Sequence, residues 1–222
     1  MTERPLFPGQ AFAAFLFDMD GTILTSIASA ERVWARWAER HGLDVATFLP
    51  TIHGVRTVET IARLGLPGID PVAEADAIMQ AEMEDVADVA PIAGAPAFLA
   101  DLPRERWAIV TSAPRLLAER RIAAAGLPLP PLMIAAEDVE HGKPAPDCFL
   151  LGAERLGVSV EDCLVFEDSP AGLTAADAAR APALVITTTH AHPFETGHPK
   201  YRDYERLAVR ATADGLQVFE QT

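Results

Sequence analysis

The sequence predicts an α/β protein, a doubly wound parallel sheet with a helical cap domain inserted after the first strand. Three observations lead there. Apolar, strand-like runs recur at residues 12–17, 107–111, 132–135, 163–166 and 183–187, and helix-like segments separate the later ones. Between the first and second runs, residues 26–90 read as helix throughout, far longer than a normal crossover. With 222 residues, half of them hydrophobic, and no low-complexity tract or internal repeat, the chain can bury a core. The expected division is a core of residues 1–25 and 91–222 and a cap of residues 26–90.

Taken in order, the first strand runs directly into Asp18-Met19-Asp20-Gly21-Thr22. In the insert Ile27, Ala30, Trp34, Trp37 and Ala38 repeat at helical spacing, as do Val55, Val58 and Ala62, and after Pro71 residues 73–86 continue helical. The edges of the insert read as hinges. Core helices are expected at residues 114–125, 146–156 and 170–179, with Gly126 and Gly157 where carboxyl-terminal caps belong. Residues 188–204, with Pro193 and Pro199, read as loop on turn residues alone.

The formal charge of -14 disfavours nucleic acid and anionic membrane as partners, because both need a basic face. A small anionic substrate would be repelled too, unless a local cation cluster or a metal ion captures it. The start of the chain lacks a basic segment followed by a long apolar run, which leads to the expectation of a cytoplasmic protein. Cys148 and Cys163 form no C-x-x-C pair, so reduced thiols are expected rather than a disulfide framework or a zinc site.

Asp18 and Asp20 leave the carboxyl end of a buried strand, where open α/β sheets place ligands, and residues two apart in extended chain face the same side. Two like charges held close keep one carboxyl protonated unless a cation sits beside them, so the pair reads as a proton donor or a metal site. Taken alone, D-x-D-G also reads as turn or cap. Glu167-Asp168 again end an apolar strand, and Ser169-Pro170 then open a helix as cap and first-turn proline. Hard oxygen ligands from several strand ends suit magnesium, whereas helix capping is the plainer role for Asp168. Thr111-Ser112 end another strand just before Pro114; hydroxyls and free amides there bind phosphoryl groups, or simply cap the helix. Lys143 and Lys200 are the only two lysines in the chain. A lysine kept between Gly142 and Pro144, in a chain that elsewhere uses arginine, points to a compact charge aimed at a phosphate or a carboxylate.

Together, Asp18-Met19-Asp20-Gly21-Thr22, Val110-Thr111-Ser112, Gly142-Lys143-Pro144-Ala145-Pro146-Asp147 and Glu167-Asp168-Ser169-Pro170-Ala171-Gly172 resemble the four motifs of the haloacid dehalogenase superfamily in order and spacing. The resemblance spans about residues 12–188, and the insert looks like the cap of the branch holding β-phosphoglucomutase and small sugar or polyol phosphatases. It implies a Rossmann-like core with Asp18 as nucleophile, Asp20 as general acid and base, and Thr111 and Lys143 as phosphate holders, helped by Ser112. It further implies Mg2+ as cofactor, held by Asp18, by the backbone carbonyl of Asp20 and by Asp168, with Glu167 supporting the metal from outside. In the cap, His53-Gly54-Val55-Arg56 resembles a substrate-facing turn in which Arg56 would meet a hydroxyl or a second anionic group. Glu31 and Trp34 would also face the sugar, although core packing is the plainer role for Trp34. His190, His192 and His198 cluster in sequence on a proline-rich loop, which argues against metal binding there.

The implied activity is a Mg2+-dependent phosphatase of small sugar or polyol phosphates that works through an aspartyl phosphate, with a small phosphorylated metabolite and no nucleic acid or membrane as partner, as a monomer or weak homodimer. A phosphomutase is the alternative, weakened because no lysine lies between Asp18 and His141, where such relatives carry a cap lysine. The same absence counts against a Schiff-base phosphonatase, and Asp20 counts against a dehalogenase. A receiver-type signalling module would share the phosphorylated aspartate but not the cap. Thr25 stands where many relatives have aspartate, which touches the hinge rather than the chemistry.

Overall fold

The computed structural model describes residues 3–190 and 195–221. Its elements run β1 (Glu3–Pro5), β2 (Ala14–Phe17), β3 (Leu24–Thr25), α1 (Ile27–Arg40), α2 (Val45–Phe48), α3 (Thr57–Leu64), α4 (Pro71–Glu84) and β4 (Ala90–Pro91). They continue through α5 (Ala95–Ala100), β5 (Trp107–Val110), α6 (Arg115–Ala124), β6 (Met133–Ile134), α7 (Asp147–Leu156), β7 (Cys163–Glu167), α8 (Pro170–Ala178), β8 (Ala183–Ile186), β9 (Lys200–Tyr201), β10 (Leu207–Thr212) and β11 (Gly215–Gln221). No helix among the described residues is long and apolar enough to cross a membrane.

Six strands form one parallel sheet in the order β6-β5-β2-β7-β8-β9. From the central strand β2 the chain moves outward to β5 and β6, then returns to the other side through β7, β8 and β9. The strand order therefore reverses beside β2, which opens the ligand crevice at the carboxyl ends of β2 and β7. Successive strand residues face opposite sides, and both sides are covered, so β2, β5, β7 and β8 are apolar at almost every position. Phe15, Phe17, Trp107 and Phe166 point to the face covered by α5 and α6; Leu16, Ala108, Val110 and Val165 point to the face covered by α7 and α8.

The insert carries an apolar cluster of its own, built on Trp34, Trp37, Phe48, Ile61 and Ile78. Helical spacing puts Val33, Trp34, Trp37 and Ala38 on one buried stripe of α1, and the Trp37 Nε1–H reaches Glu74 of α4 at 2.8 Å. The chain enters through β3 and leaves through β4, and these two strands pair antiparallel, so both linkers are tied to each other.

Several expectations are corrected. The first strand starts at Ala14; Phe12 instead makes a bridge to Leu216. The insert is not helical throughout: Val55 precedes α3, α4 ends at Glu84, and Ala90–Pro91 pair as β4. The stretch expected as loop contains β9, which adds to the parallel sheet beside β8. His192 and Pro193 lie outside the described residues. A three-stranded antiparallel sheet, β1-β11-β10, was not foreseen. Its β10–β11 hairpin turns at Ala213-Asp214, just before Gly215 at φ +140°, and the Asp214-Gly215 pair beside alternating runs is the cue for it.

Phe98 of α5 joins the aromatic layer, with ring centroids 5.6 Å from Phe166 and 5.1 Å from Tyr204. Phe98→Ala should cost about 3–5 kcal/mol of stability, the range for emptying an aromatic core position. Chemical denaturation checks this: the midpoint falls with an unchanged slope, and a loss below about 1 kcal/mol would contradict the packing.

Candidate active site

The carboxyl ends of β2, β5 and β7 converge. Asp18 follows β2 directly, Thr111 follows β5, and Glu167 ends β7 with Asp168 next. Two glycines make this approach possible. Gly21 turns the chain after the first motif at φ +92°, and a Cβ there would lie 2.0 Å from Asp168 Oδ2. At Gly172, in the first turn of α8, a Cβ would lie 1.5 Å from Glu167 Oε1. Ser169 caps α8, its hydroxyl accepting from the Gly172 N–H at 3.0 Å.

Lys143 sits at the centre, 1 % exposed. Its ammonium donates to Asp18 Oδ1 at 2.6 Å, to Glu167 Oε1 at 2.8 Å and to the Val110 carbonyl at 3.1 Å, which uses its three protons. The other oxygen of Glu167, Oε2, accepts from the Asp168 and Ser169 N–H groups at 2.7 Å each and from the Ser169 hydroxyl at 3.0 Å. Asp168 accepts from the Thr189 hydroxyl at 3.3 Å, and its carbonyl from His190 Nε2 at 2.7 Å.

This leaves a shortage of positive charge. Asp18, Glu167 and Asp168 each offer an oxygen, and these oxygens lie within 4.8 Å of one another. One ammonium is divided between two of the three. Burial pushes the Asp18 carboxyl up to about 7 despite Lys143, with Glu167 and Asp20 adding to the rise. Burial, then Glu167 and Asp18, hold Asp168 well above the ordinary carboxylate range. Burial would lower the Lys143 ammonium, but Asp18 and Glu167 outweigh it and raise it. A hard divalent cation beside Asp18 and Asp168 would supply the missing charge, so the donor set fits magnesium. Both oxygens of Glu167 already accept hydrogen bonds, Oε1 from Lys143 and Oε2 from the Asp168 and Ser169 amides.

Asp20 lies at the edge of this cluster and faces the cleft, its side chain 26 % exposed against 7 % for Asp18. Its Oδ1 accepts from the Ser26 hydroxyl at 2.5 Å and its Oδ2 from Arg121 Nη1 at 3.0 Å. Ser26, Arg121 and Glu82, which pairs with Arg121, line the same cleft and were not foreseen. A signal existed for two of them: Arg121 shares the apolar stripe of α6 with Leu117, Ala118 and Ile122, and Glu82 follows Ile78 by one turn on the buried side of α4.

Thr111 and Ser112 also line the cleft. The Thr111 hydroxyl accepts from the Ala113 N–H at 3.1 Å, and the Ser112 hydroxyl donates to the Gly54 carbonyl of the insert at 3.0 Å. Among the insert residues, His53 borders the cleft and Glu31 stands behind it, 3.4 Å from His53 Nε2. Arg56 is placed differently from the expectation. Its guanidinium pairs with Glu59 and donates to the carbonyls of Ala136, Val139 and Glu140 at 3.3, 3.2 and 2.8 Å. It clasps the loop that leads to Lys143 and has its donors engaged there. Trp34, 4 % exposed, packs on Trp37 and Phe48 with ring centroids 5.6 Å from each, so it serves the core of the insert while bordering the cleft. His190 touches the Asp168 carbonyl, whereas His198 pairs with Asp177 at 3.2 Å, so these two do not converge on a common point.

A sequence profile of haloacid dehalogenase-like hydrolases matches residues 12–180. The chain is 38% identical over 176 residues to hexitol phosphatase A of Escherichia coli (strain K12), covering 78% of this chain and 82% of that one. It is 33% identical over 184 residues to a fructose-1-phosphate phosphatase of the same organism, covering 80% and 97%. In fold it is similar to a β-phosphoglucomutase from Clostridium difficile, with TM-score 0.71, 20% identity, and 79% and 84% of the two chains covered.

The raised Asp18 value has a consequence for stability. A carboxyl whose folded pKa exceeds its unfolded value, about 3.9, is destabilised when ionised, so the cation-free protein loses stability as pH rises from about 4 to about 7. Asp18→Asn removes that loss. In chelator, the variant's melting temperature should gain on the wild type between pH 5 and pH 8, and magnesium should erase the gain; no change in the difference would contradict the charge shortage.

Proposed function

Because the chain belongs to the haloacid dehalogenase-like hydrolase family, we propose that it is a magnesium-dependent phosphatase of small sugar or polyol phosphates that passes the phosphoryl group through Asp18. The single observation that carries this reading is Lys143 holding Asp18 and Glu167 at adjacent strand ends, with Asp168 alongside. The similarity to a hexitol phosphatase and a fructose-1-phosphate phosphatase supports the substrate class.

Magnesium would be held by the Asp18 and Asp168 carboxylates and the Asp20 backbone carbonyl, and when bound it would neutralise charge on the phosphoryl oxygens. Asp18 attacks phosphorus in line, forming the aspartyl phosphate as the ester oxygen departs. Asp20 donates its proton to that oxygen, then takes one from the water that hydrolyses the aspartyl phosphate. Lys143 keeps Asp18 oriented and offsets the negative charge of the transferring group. Thr111 and Ser112 hold the equatorial oxygens, Ser112 exchanging the Gly54 carbonyl for phosphate.

Residues 26–90 act as a cap on a core of residues 1–25 and 91–222, moving on the paired linkers β3 and β4 and excluding bulk water when closed. His53 and Glu31 meet substrate hydroxyls from the cap side. Arg56 contributes by clasping the loop before Lys143 rather than by touching the sugar.

Asp18→Asn should abolish phosphate release, and Asp20→Asn should lower it by about two to four orders of magnitude, the range for a lost general acid. Chelation should stop turnover and magnesium should restore it. The measurement is phosphate release over a panel of hexose, hexitol, pentose and glycerol phosphates. Isomerised sugar phosphate without free phosphate would instead indicate a mutase, and wild-type rates in either variant would refute the roles.

A further inference from the structure

Arg121 is 6 % exposed, on a helix face whose other members are apolar, and its two terminal nitrogens serve two carboxylates from different parts of the chain. Nη1 meets Asp20 Oδ2 at 3.0 Å, and Nη2 meets Glu82 Oε1 at 3.3 Å. Glu82, 5 % exposed, belongs to α4 of the insert. The neighbouring Arg120 Nε donates to the Met83 carbonyl at 3.3 Å, so α4 is joined to α6 at two successive positions. On the other side, Ser26 at the start of α1 fixes Asp20 Oδ1 at 2.5 Å.

A buried ion pair adds little net stability over well-packed apolar side chains, so stability alone does not account for placing this set here. Orientation does. A planar guanidinium gripping one carboxylate oxygen, with a hydroxyl on the other, leaves the carboxyl group little freedom to rotate. We propose that Arg121 is a positioning residue that aims Asp20 at the departing ester oxygen, and that Glu82 of the insert sets Arg121 in that pose.

The inference rests on the phosphatase reading, with Asp20 as acid and base. The Ser26, Arg121 and Glu82 contacts reach Asp20 alone and touch neither Asp18 nor Lys143. Loss of Arg121 should therefore harm proton transfer while sparing phosphoryl transfer to Asp18. An alkyl leaving group needs the proton and a nitrophenolate does not, which separates the two steps.

The experiment uses the full magnesium-loaded chain, a hexitol phosphate as alkyl ester, and p-nitrophenyl phosphate in a stopped-flow burst. In Arg121→Lys, which keeps the charge and loses the fork, kcat for the alkyl ester should fall about 100-fold with KM within about threefold, consistent with a misplaced general acid. The nitrophenolate burst should keep its rate within about threefold, followed by slow turnover. Glu82→Gln leaves Arg121 paired with Asp20 and no buried charge alone, and should move kcat in the same direction by about tenfold. A nitrophenolate burst rate that falls as far as the alkyl-ester kcat, a rise in KM with kcat unchanged, or wild-type rates in both variants would overturn the positioning role. A wild-type chain inert towards both esters would instead overturn the phosphatase reading, and this inference with it.

Discussion

One buried ammonium shared between two carboxylates organises this molecule. Lys143 can reach Asp18 and Glu167 together because β2 and β7 are hydrogen-bonded neighbours in which Phe17 stands beside Phe166, so the residues that follow them, Asp18 and Glu167, leave the sheet together. Gly21 and Gly172 leave the space that Asp168 and Glu167 occupy, and the Ser169 cap starts α8 where its first amides meet Glu167. Desolvation strengthens every interaction in the cluster and makes its deficit expensive: three carboxylates close to one cation cannot all stay ionised without a second positive charge. The donor set fits a divalent cation, which together with Lys143 would offset the repulsion that a chain of net charge -14 presents to an anion.

Much of this was legible because it is local in sequence. Acidic residues at the ends of apolar runs, a serine and proline opening a helix, and a lysine in a chain nearly devoid of them each carry their meaning within a few positions. The strands and helices that place them were readable for the same reason, since period-2 and period-3.6 patterns are short-range. What escaped depends on partners far along the chain. Arg121 meets Asp20 across 101 positions, and nothing near either residue announces the other. Arg56 looked like a substrate contact from its neighbours, yet its destination is a set of backbone carbonyls some eighty residues away. The short strand β9 has two residues, too few for any pattern. The β10–β11 hairpin is the exception, since its Asp214-Gly215 signal is local.

Three contacts between the insert and the core lie around the cleft or the loop before Lys143. Ser112 holds the Gly54 carbonyl, Arg56 grips the loop before Lys143, and Glu82 reaches Arg121 and through it Asp20. Its own apolar cluster keeps it a coherent unit, and its two linkers are paired with each other.

The most direct test of whether this cluster accepts a phosphoryl group is an acid-quenched single turnover with a phosphorus-labelled ester, followed by peptide mapping in a mass spectrometer. The account predicts label on the peptide containing Asp18, present with magnesium and absent when the ion is chelated. Label on another residue, or rapid turnover with no labelled peptide at any quench time, would contradict it.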